Sequence, residues 1–272
     1  DVPDMTYRFM QYNRGKDSIA LNLKSDRGQT VFKEMAAEAD VVLENLRPGS
    51  MDKFGLGYDD IKEINDDIVY CSISGYGATG PYKDRSAVDT IIQAMSGIVS
   101  QNAADAGSPA LTGIYIADMM GSMYATISIL SALASETHDG TYIDVSMLDG
   151  LVSLLNHEAA EYSSRGTAEP RIRSSLVPQR VYETADGGIA LNVLDKYWHT
   201  FCDILGLETL GESEKFDDPM VRQENKAYIE DQIEDALAEE PTDYWVDRLL
   251  DAGIMSAPVK TVDEAFEDVR WD

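Results

Sequence analysis

The sequence is poor in basic residues. It has 22 lysines and arginines against 49 aspartates and glutamates, a formal net charge of −27 over 272 residues. A field of that sign repels nucleic acids and anionic membranes, so we expect neither as a partner. The acids are dispersed and 44% of the residues are hydrophobic, which argues against acidic disorder. Because salt screens repulsion among such charges, we expect a halophilic cytoplasm as the source.

Cysteine and histidine are also scarce. Cys71 and Cys202 lie far apart in the sequence, so neither a disulfide framework nor a zinc site is expected. His138, His157 and His199 have no metal-ligand spacing, and none belongs with a serine in a GxSxG elbow. We therefore expect no bound metal and no serine nucleophile activated by histidine.

Targeting and nucleotide-binding signals are missing as well. No apolar run approaches the length that spans a membrane, and the chain begins DVP, without an initiator Met or a signal-peptide pattern. The fingerprints GxGxxG and GxxxxGK[ST] do not occur. We expect a cytoplasmic protein, and a piece of a longer one, with no dinucleotide or nucleoside triphosphate site of these types.

Strands alternate with helices through the first part of the chain. The apolar patterns predict strands over residues 18–24, 41–44, 68–77 and 140–148. This alternation is typical of parallel βαβ units in a doubly wound sheet, where ligands bind at the carboxyl ends of strands. The loops after those ends are the candidate site, at residues 45–49, 74–81 and 113–118.

The central feature is an apolar helix within residues 112–135, with Asp118 at its start. Apolar residues recur behind it at three- and four-residue spacing and predict its buried face: Met119, Met123, Ile127, Leu130 and Ala134. The positive helix end favours an ionised Asp118, as a carboxylate nucleophile requires. On local evidence alone, a plain helix cap is the simpler explanation. Asp144 and Asp149 are competing carboxylates.

The rest of the chain predicts a second domain. Residues 1–164 are assigned to the large domain, residues 165–181 to an irregular linker, and residues 182–272 to a smaller α+β domain. The smaller domain opens with a hairpin whose turn is DGG, followed by helices. Lys16, Lys24, Lys53 and Arg85 are noticeable because cations are scarce, and they suit either an anionic ligand or ion pairs with neighbouring acids.

Taken in order, six segments resemble the class III coenzyme A transferases, which include formyl-CoA transferase, the carnitine CoA-transferases and the α-methylacyl-CoA racemases. The segments are YNRGKDSIALNLK, ADVVLENLRPG, ISGYGATGPYKDR, QAMSG, TGIYIADMMGSMYA and YIDVSMLD. The resemblance implies an α/β fold: a Rossmann-like, doubly wound parallel sheet in a CoA-binding large domain, plus a smaller α+β domain. It also implies a homodimer of interlocked subunits. The family's first strand and helix, and its last return to the large domain, have no counterpart here.

The resemblance also assigns roles to residues. Asp118 matches the aspartate that attacks the acyl-CoA thioester in the transferases. Coenzyme contacts in the family fall on segments that match Leu21, Lys24, Asn45, Leu46, Arg47, Lys53 and Arg85. Coenzyme A and acyl-CoA are then substrates, with no permanently bound cofactor.

We therefore expect an acyl-CoA:carboxylate CoA-transferase that works through an aspartyl anhydride and an aspartyl-CoA thioester. Backbone N–H groups at the helix start and in the loop of residues 74–81 are expected to stabilise the oxyanions. One alternative is a 2-methylacyl-CoA racemase or epimerase. It needs a histidine just before Asp89, where this chain has Val88. The other alternative is a non-catalytic CoA-binding paralogue, and the retention of Asp118 weighs against it.

Overall fold

The structure is a computed structural model that describes residues 6–106, 108–135, 139–167 and 177–268, without the side chains of residues 103–106. The chain divides into two compact units, Asp1–Pro170 and Arg171–Asp272. His138 and most of the predicted linker lie outside the described residues.

The described part of the first unit contains a parallel sheet of three strands. They are β1 (Val41–Glu44), β2 (Val69–Ser74) and β3 (Thr141–Ser146), paired in the order β1-β2-β3. Val42 is aligned with Tyr70, and Tyr70 with Tyr142. The three runs are rich in β-branched residues and were expected to be strands. Because they are parallel, their carboxyl ends meet at one edge of the sheet.

Helices connect these strands and follow them. Their bounds are α1 (Tyr7–Tyr12), α2 (Asp26–Ala36), α3 (Ser50–Lys53), α4 (Tyr58–Lys62), α5 (Asp89–Ser96), α6 (Ile98–Ala106), α7 (Ile116–Leu133), α8 (Met147–Val152) and α9 (Asn156–Arg165), with a 3-10 turn at Ser153–Leu155. The start of α2 is capped as its sequence indicates, since the Ser25 hydroxyl accepts the Gly28 N–H at 3.2 Å.

Helix α7 packs on one face of the sheet through small residues. Its buried residues are Ala117, Gly121 and Ala125, and Ala125 packs with Cys71 of β2 and Val145 of β3. A Cβ atom added at Gly121 would lie 3.5 Å from Ile73 Cγ2 of β2 and 3.1 Å from Met147 Cγ of α8. The small side chains therefore let the helix approach the sheet closely.

The face of α7 that was predicted to be buried is exposed, so that prediction is wrong. Met119, Met123, Ile127 and Leu130 are 47% to 60% exposed, and Ala134 is exposed as well. The helix is apolar on nearly every side, so its periodicity does not select one face. The series of small residues at i, i+4 and i+8 selects the packed face instead.

By length and composition, α7 is apolar enough to cross a membrane. Its 18 residues have a mean hydropathy of 1.3, and 17% of them are buried. The sequence pattern predicts no such segment. A single helix of this kind also occurs in the cores of soluble proteins, so it is weak evidence for a membrane span.

The strand predicted over residues 18–24 is wrong. These residues take part in no strand pairing. Over residues 21–24 the alternation does appear in the burial, since Leu21 and Leu23 are half-buried while Asn22 and Lys24 are exposed, but Ile19 is 59% exposed. The half-buried side chains face α2 and β1, and no neighbouring strand supplies a ladder. Alternation indicates a half-buried surface and does not specify a hydrogen-bonding partner.

The second unit combines an antiparallel sheet with helices. Its strands are β4 (Gln179–Glu183), β5 (Gly188–Asn192) and β6 (Met255–Pro258), in the order β4-β5-β6. The Glu183–Gly188 pair closes the predicted hairpin. Strand β4 begins within the segment predicted as a linker, and β6 was not predicted. The helices are α10 (Trp198–Leu205), α11 (Glu208–Gly211), α12 (Pro219–Glu224), α13 (Lys226–Leu237), α14 (Thr242–Asp251) and α15 (Val262–Asp268).

A buried arginine ties several segments of this unit together. The side chain of Arg222 is 2% exposed. Its Nη1 donates to the carbonyl oxygens of Phe216 at 2.6 Å and Asp217 at 3.2 Å. Its Nη2 contacts the Asp195 carboxylate, and its guanidinium carbon lies 4.9 Å from the centre of the Trp198 ring. Arg222 thus donates hydrogen bonds to carbonyl groups of a turn, which helix and sheet hydrogen bonds do not satisfy.

Candidate active site

Asp118 lies in the first turn of α7 with its side chain exposed. The N-cap residue of the helix is Tyr115, whose side chain makes no capping bond. In the part of the chain that the structure describes, the Asp118 carboxylate accepts no hydrogen bond. Asp118 is therefore not the cap of α7, and the plain-cap explanation of this residue fails.

The carboxylate of Asp89 lies against the N-terminus of α7. Asp89 is the first residue of α5 and is 6% exposed. Its Oδ2 accepts the N–H of Ala117 at 2.8 Å and that of Asp118 at 3.4 Å. Asp89 thus takes the anion position at the helix N-terminus that the sequence analysis assigns to Asp118.

Gln93 holds Asp89 from the other side. Gln93 lies one turn further along α5 and is 2% exposed. Its Nε2 donates to Asp89 Oδ1 at 2.5 Å. Its Oε1 accepts from the N–H of Thr112 at 2.9 Å and from the Thr112 hydroxyl at 3.1 Å. The bonds to Thr112 join α5 to the loop that leads into α7.

The pKa of Asp118 is raised above that of an ordinary aspartate. Partial burial is the first cause, and the negative charge of Asp89 is the second. The N–H groups at the helix N-terminus do not stabilise the Asp118 anion, because Asp89 accepts those of Ala117 and Asp118. An ionised carboxylate of raised pKa is a stronger nucleophile than an ordinary one.

Two of the predicted loops face each other across a space at the carboxyl edge of the sheet. We call it the strand-end cavity, and its volume is about 540 Å³. The loop after β1 and the loop after β2 line its sides, with Leu46, Pro48 and Gly49 from the first and Ala78, Lys83 and Asp84 from the second. Asp118 is not among its lining residues.

Four of the N–H groups expected to stabilise oxyanions are already bonded within the protein. Gly77 N–H donates to the Ser74 hydroxyl at 2.9 Å, and Ala78 N–H donates to Asp144 Oδ2 at 2.8 Å. At the helix start, Asp89 accepts the N–H groups of Ala117 and Asp118. These four N–H groups are therefore not free to stabilise an oxyanion, and the oxyanion role of the other N–H groups in the loop of residues 74–81 stays a prediction.

Three of the predicted coenzyme contacts lie around one apolar space beside the edge strand. We call it the β1 groove, of about 520 Å³, and Leu21, Asn45 and Leu46 are among its lining residues. Asn45 Nδ2 donates to the Ile73 carbonyl oxygen at 2.6 Å, and Leu46 N–H donates to the Glu44 carboxylate at 2.7 Å. These bonds fix the chain where it leaves β1.

The predicted cationic contacts share one property. Lys24, Arg47, Lys53 and Arg85 are exposed, and none forms an ion pair with a carboxylate of the described residues. They lie outside the linings of both the strand-end cavity and the β1 groove. Arg85 stacks over the ring of Tyr82, 4.1 Å from its centre. In a chain this acidic, unpaired cations remain available to an anionic ligand.

Comparison with known sequences decides the family. The sequence model of CoA-transferase family III matches residues 2–272. The chain belongs to CoA-transferase family III. A similar relative is the acetyl-CoA:oxalate CoA-transferase of Acetobacter aceti, 35% identical over 97% of this chain and 70% of the relative. Another is the succinyl-CoA:glutarate CoA-transferase of Homo sapiens, 33% identical over 97% of this chain and 62% of the relative.

Solved structures agree with this family. A CAIB/BAIF family protein from Brucella suis matches with a TM-score of 0.86 and 31% identity, over 93% of this chain and 69% of that one. Rv3272 from M. tuberculosis matches with a TM-score of 0.81 and 27% identity, over 93% of this chain and 70% of that one. The chain thus spans 62% to 70% of the length of these four proteins. The predicted resemblance and α/β fold class are confirmed.

For this CoA-transferase family III chain, one position bears on the racemase alternative. Val88 precedes Asp89 as the N-cap residue of α5 and is 64% exposed. A histidine at that position would lie beside the start of α7, where the racemase alternative needs its second base. The valine side chain has no ionisable proton, so only one face of a substrate α-carbon would have a base.

Of the two competing carboxylates, Asp144 has a structural role. Asp144 Oδ2 accepts from Ala78 and thereby holds the loop after β2. Asp149 lies in the first turn of α8, where the Ser146 hydroxyl caps the helix by accepting the Asp149 N–H at 3.1 Å. The Asp149 side chain is exposed.

The remaining reactive side chains belong to other elements of the fold. His157 lies on α9, and His199 Nδ1 lies 2.7 Å from the Gly211 carbonyl oxygen in the second unit. Cys71 and Cys202 are free and buried, and burial raises the pKa of the Cys71 thiol to about 11 and that of Cys202 to about 12. Within the described ranges, no group of three potential metal ligands occurs.

Gly28→Ala is expected to weaken coenzyme binding without changing the chemistry. A Cβ atom at Gly28 would lie 2.1 Å from the Asn22 carbonyl oxygen, so the segment containing Leu21 and Lys24 has to move. We expect a loss of about 1 to 3 kcal/mol in stability and a weaker affinity for CoA by calorimetry. Thr30→Ala, an exposed site on the same helix, is the control. Unchanged CoA affinity in Gly28→Ala would remove this segment from the binding site.

Proposed function

We propose that the protein is an acyl-CoA:carboxylate CoA-transferase in which Asp118 is the nucleophile. The observation that carries this proposal is the exposed Asp118 carboxylate, which accepts no hydrogen bond in the described chain while Asp89 occupies the helix amides. A carboxylate that accepts no hydrogen bond from the protein keeps its oxygens available to attack a substrate, and the raised pKa of Asp118 makes its anion more nucleophilic. Membership of CoA-transferase family III supports the assignment.

In the first half of the reaction, Asp118 takes the CoA group. A carboxylate oxygen of Asp118 attacks the thioester carbon of the acyl-CoA, the C–S bond breaks, and CoA leaves as a thiolate. The product is a mixed anhydride between Asp118 and the acyl group. The thiolate then attacks the aspartyl carbonyl of this anhydride, which releases the donor carboxylate and leaves an Asp118–CoA thioester.

The second half reverses these steps with another acid. The acceptor carboxylate attacks the Asp118–CoA thioester and expels the CoA thiolate, which gives a new mixed anhydride. The thiolate attacks the acceptor carbonyl of that anhydride, forms the new acyl-CoA and frees Asp118. Each carboxylate is thus activated before it meets the thiolate, so no step requires attack on a free carboxylate carbon.

We assign the recognition of CoA to the residues that the family resemblance indicates. Lys24, Arg47, Lys53 and Arg85 would meet the phosphate groups, because they are exposed cations without carboxylate partners in the described chain. Leu21, Asn45 and Leu46, which line the β1 groove, would contact the less charged parts of the coenzyme. CoA and acyl-CoA act here as substrates and not as a resident cofactor.

The relatives, the family resemblance and the net charge support further proposals on substrates, assembly and location. Relatives named for oxalate and glutarate support small carboxylates as donor and acceptor. The family resemblance supports a homodimer. The net charge of −27 supports a halophilic source and a cytoplasmic location in which salt screens the repulsion.

Capture of the covalent intermediate tests the proposal. The protein is incubated in molar salt with a panel of acyl-CoA donors, quenched with hydroxylamine, digested and examined by mass spectrometry. We expect a hydroxamate on Asp118, because hydroxylamine attacks both an anhydride and a thioester. Incubation with free CoA, which carries no acyl group, is the control. Exchange of an α-proton with deuterated water at the turnover rate, with Asp118 unmodified, would instead establish a racemase.

A further inference from the structure

The proposed function uses Asp118 and leaves the buried pair Asp89 and Gln93 without a role. Both belong to α5, yet their bonds are made to the loop before α7 and to its first turn. Asp89 is buried, so it does not meet a substrate directly. We propose that Asp89 is a positioning residue that anchors the start of α7 and keeps the Asp118 carboxylate free to react. This inference rests on the proposed role of Asp118.

The site requires a carboxylate at position 89. One oxygen of Asp89 faces the Nε2 donor of Gln93, and the other faces the N–H donors of Ala117 and Asp118. The orientation of the Gln93 amide is fixed, because its Oε1 accepts the N–H of Thr112 at 2.9 Å and its Nε2 also donates to the Ile114 carbonyl oxygen at 3.3 Å. An asparagine at position 89 would place its NH2 group against another donor, either the Gln93 amide or the helix N–H groups, and lose a hydrogen bond there. A carboxylate therefore fits where a carboxamide of the same size does not.

Asp89 acts on Asp118 in two ways. By accepting the helix N–H groups, it denies Asp118 the local hydrogen bonds that would otherwise stabilise its anion. By its charge, it repels the Asp118 carboxylate, and that repulsion disappears when Asp118 becomes a neutral anhydride or thioester. Both effects raise the free energy of the free enzyme relative to the covalent adduct. Asp89 thereby favours adduct formation.

Asp89→Asn is the test. We expect the rate of adduct formation at Asp118 to fall about ten- to a hundredfold, since a misplaced nucleophile loses about that much. The Michaelis constant for acyl-CoA should change little, because Asp89 is buried.

The pH profile separates positioning from general damage. Apart from partial burial, Asp89 is the group that raises the pKa of Asp118, and no group of β2, β3 or α8 contributes. Removing the negative charge lowers that pKa, so the acidic limb of adduct formation should move to lower pH. A purely structural defect leaves the limb where it is.

Two further variants complete the test. Asp149→Asn makes the same change in the first turn of α8 and should leave the adduct rate and the acidic limb unaltered. If Asp89→Asn does not fold, Gln93→Met replaces it, since it removes the bonds to Asp89 and Thr112 with little change in volume. A smaller fall in adduct rate is then expected, with the acidic limb unmoved because Asp89 keeps its charge.

The outcomes distinguish the two proposals. A wild-type rate and an unmoved acidic limb in Asp89→Asn overturn the positioning role and leave the transferase standing. If the wild-type protein forms no adduct, the transferase proposal fails, and carbon-13 NMR titration of Asp118 still tests the positioning role. A lower pKa of Asp118 in Asp89→Asn supports that role, and an unchanged pKa overturns it.

Discussion

Asp118→Asn is expected to abolish both the covalent adduct and turnover, with a loss of about 10⁴-fold or more, as for other single nucleophile replacements. A carboxamide oxygen does not form the anhydride, so no later step can take place. The Asp118 side chain is exposed and accepts no hydrogen bond in the described chain. Its replacement also removes the repulsion with Asp89, so the thermal midpoint should be unchanged or slightly raised. Steady-state kinetics and calorimetry measure the two quantities.

Asp149→Asn is the matched control for this prediction. It makes the same chemical change at an exposed position in the first turn of α8. Full turnover in Asp149→Asn together with none in Asp118→Asn assigns the effect to Asp118. If Asp118→Asn instead keeps turnover within about tenfold of the wild type, a difference of about 1.4 kcal/mol, Asp118 is not the nucleophile.

Arg222→Met is expected to destabilise the second unit by about 3 kcal/mol, near the lower end for breaking a buried charged contact. Methionine fills much of the space but donates no hydrogen bond to Phe216 or Asp217. The carbonyl oxygens of those residues would be left without their donor, which is costly in a buried site. Asp195 is half-exposed and regains water, which keeps the loss from being larger.

Tryptophan fluorescence during urea unfolding measures this loss for the second unit alone. All 3 tryptophans of the chain lie after residue 171. Arg248→Met is the control, because Arg248 also stacks on an aromatic ring, that of Tyr244 at 5.0 Å, but is exposed. We expect it to change stability by less than about 0.5 kcal/mol, as exposed substitutions usually do. Equal losses in the two variants would mean that the buried hydrogen bonds of Arg222 add nothing.

The sequence predicts the elements of this fold better than their contacts. The runs at β1, β2 and β3 carry enough β-branched residues to predict strands, and β1 has the predicted bounds of residues 41–44. Burial of α7 was predicted on the wrong face, because periodicity says nothing when a helix is apolar on all sides. For residues 18–24, alternation predicts half-buried side chains correctly at Leu21 and Leu23 but not at Ile19, and it predicts a strand wrongly.

The site divides in the same way. Asp118 can be recognised as a candidate from this sequence alone, because it lies directly at the start of an apolar helix. Asp89 was missed, since the bond that gives it meaning joins residues 28 positions apart in the sequence. An acid at the first position of α5 looks like an ordinary first-turn acid. Only the packing of α5 against α7 reveals which helix end it serves.

Each unit contains one buried cysteine, and the rate at which a thiol reagent labels it measures the local opening of that unit. Cys71 lies on β2 beneath Ala125 of α7, fully buried, and Cys202 lies on α10 in the core of the second unit. A thiol reagent in solution reaches Cys71 only when α7 separates from the sheet. The labelling rate of Cys71 therefore reports how often the helix that bears Asp118 leaves its place, and Cys202 reports the opening of the second unit independently.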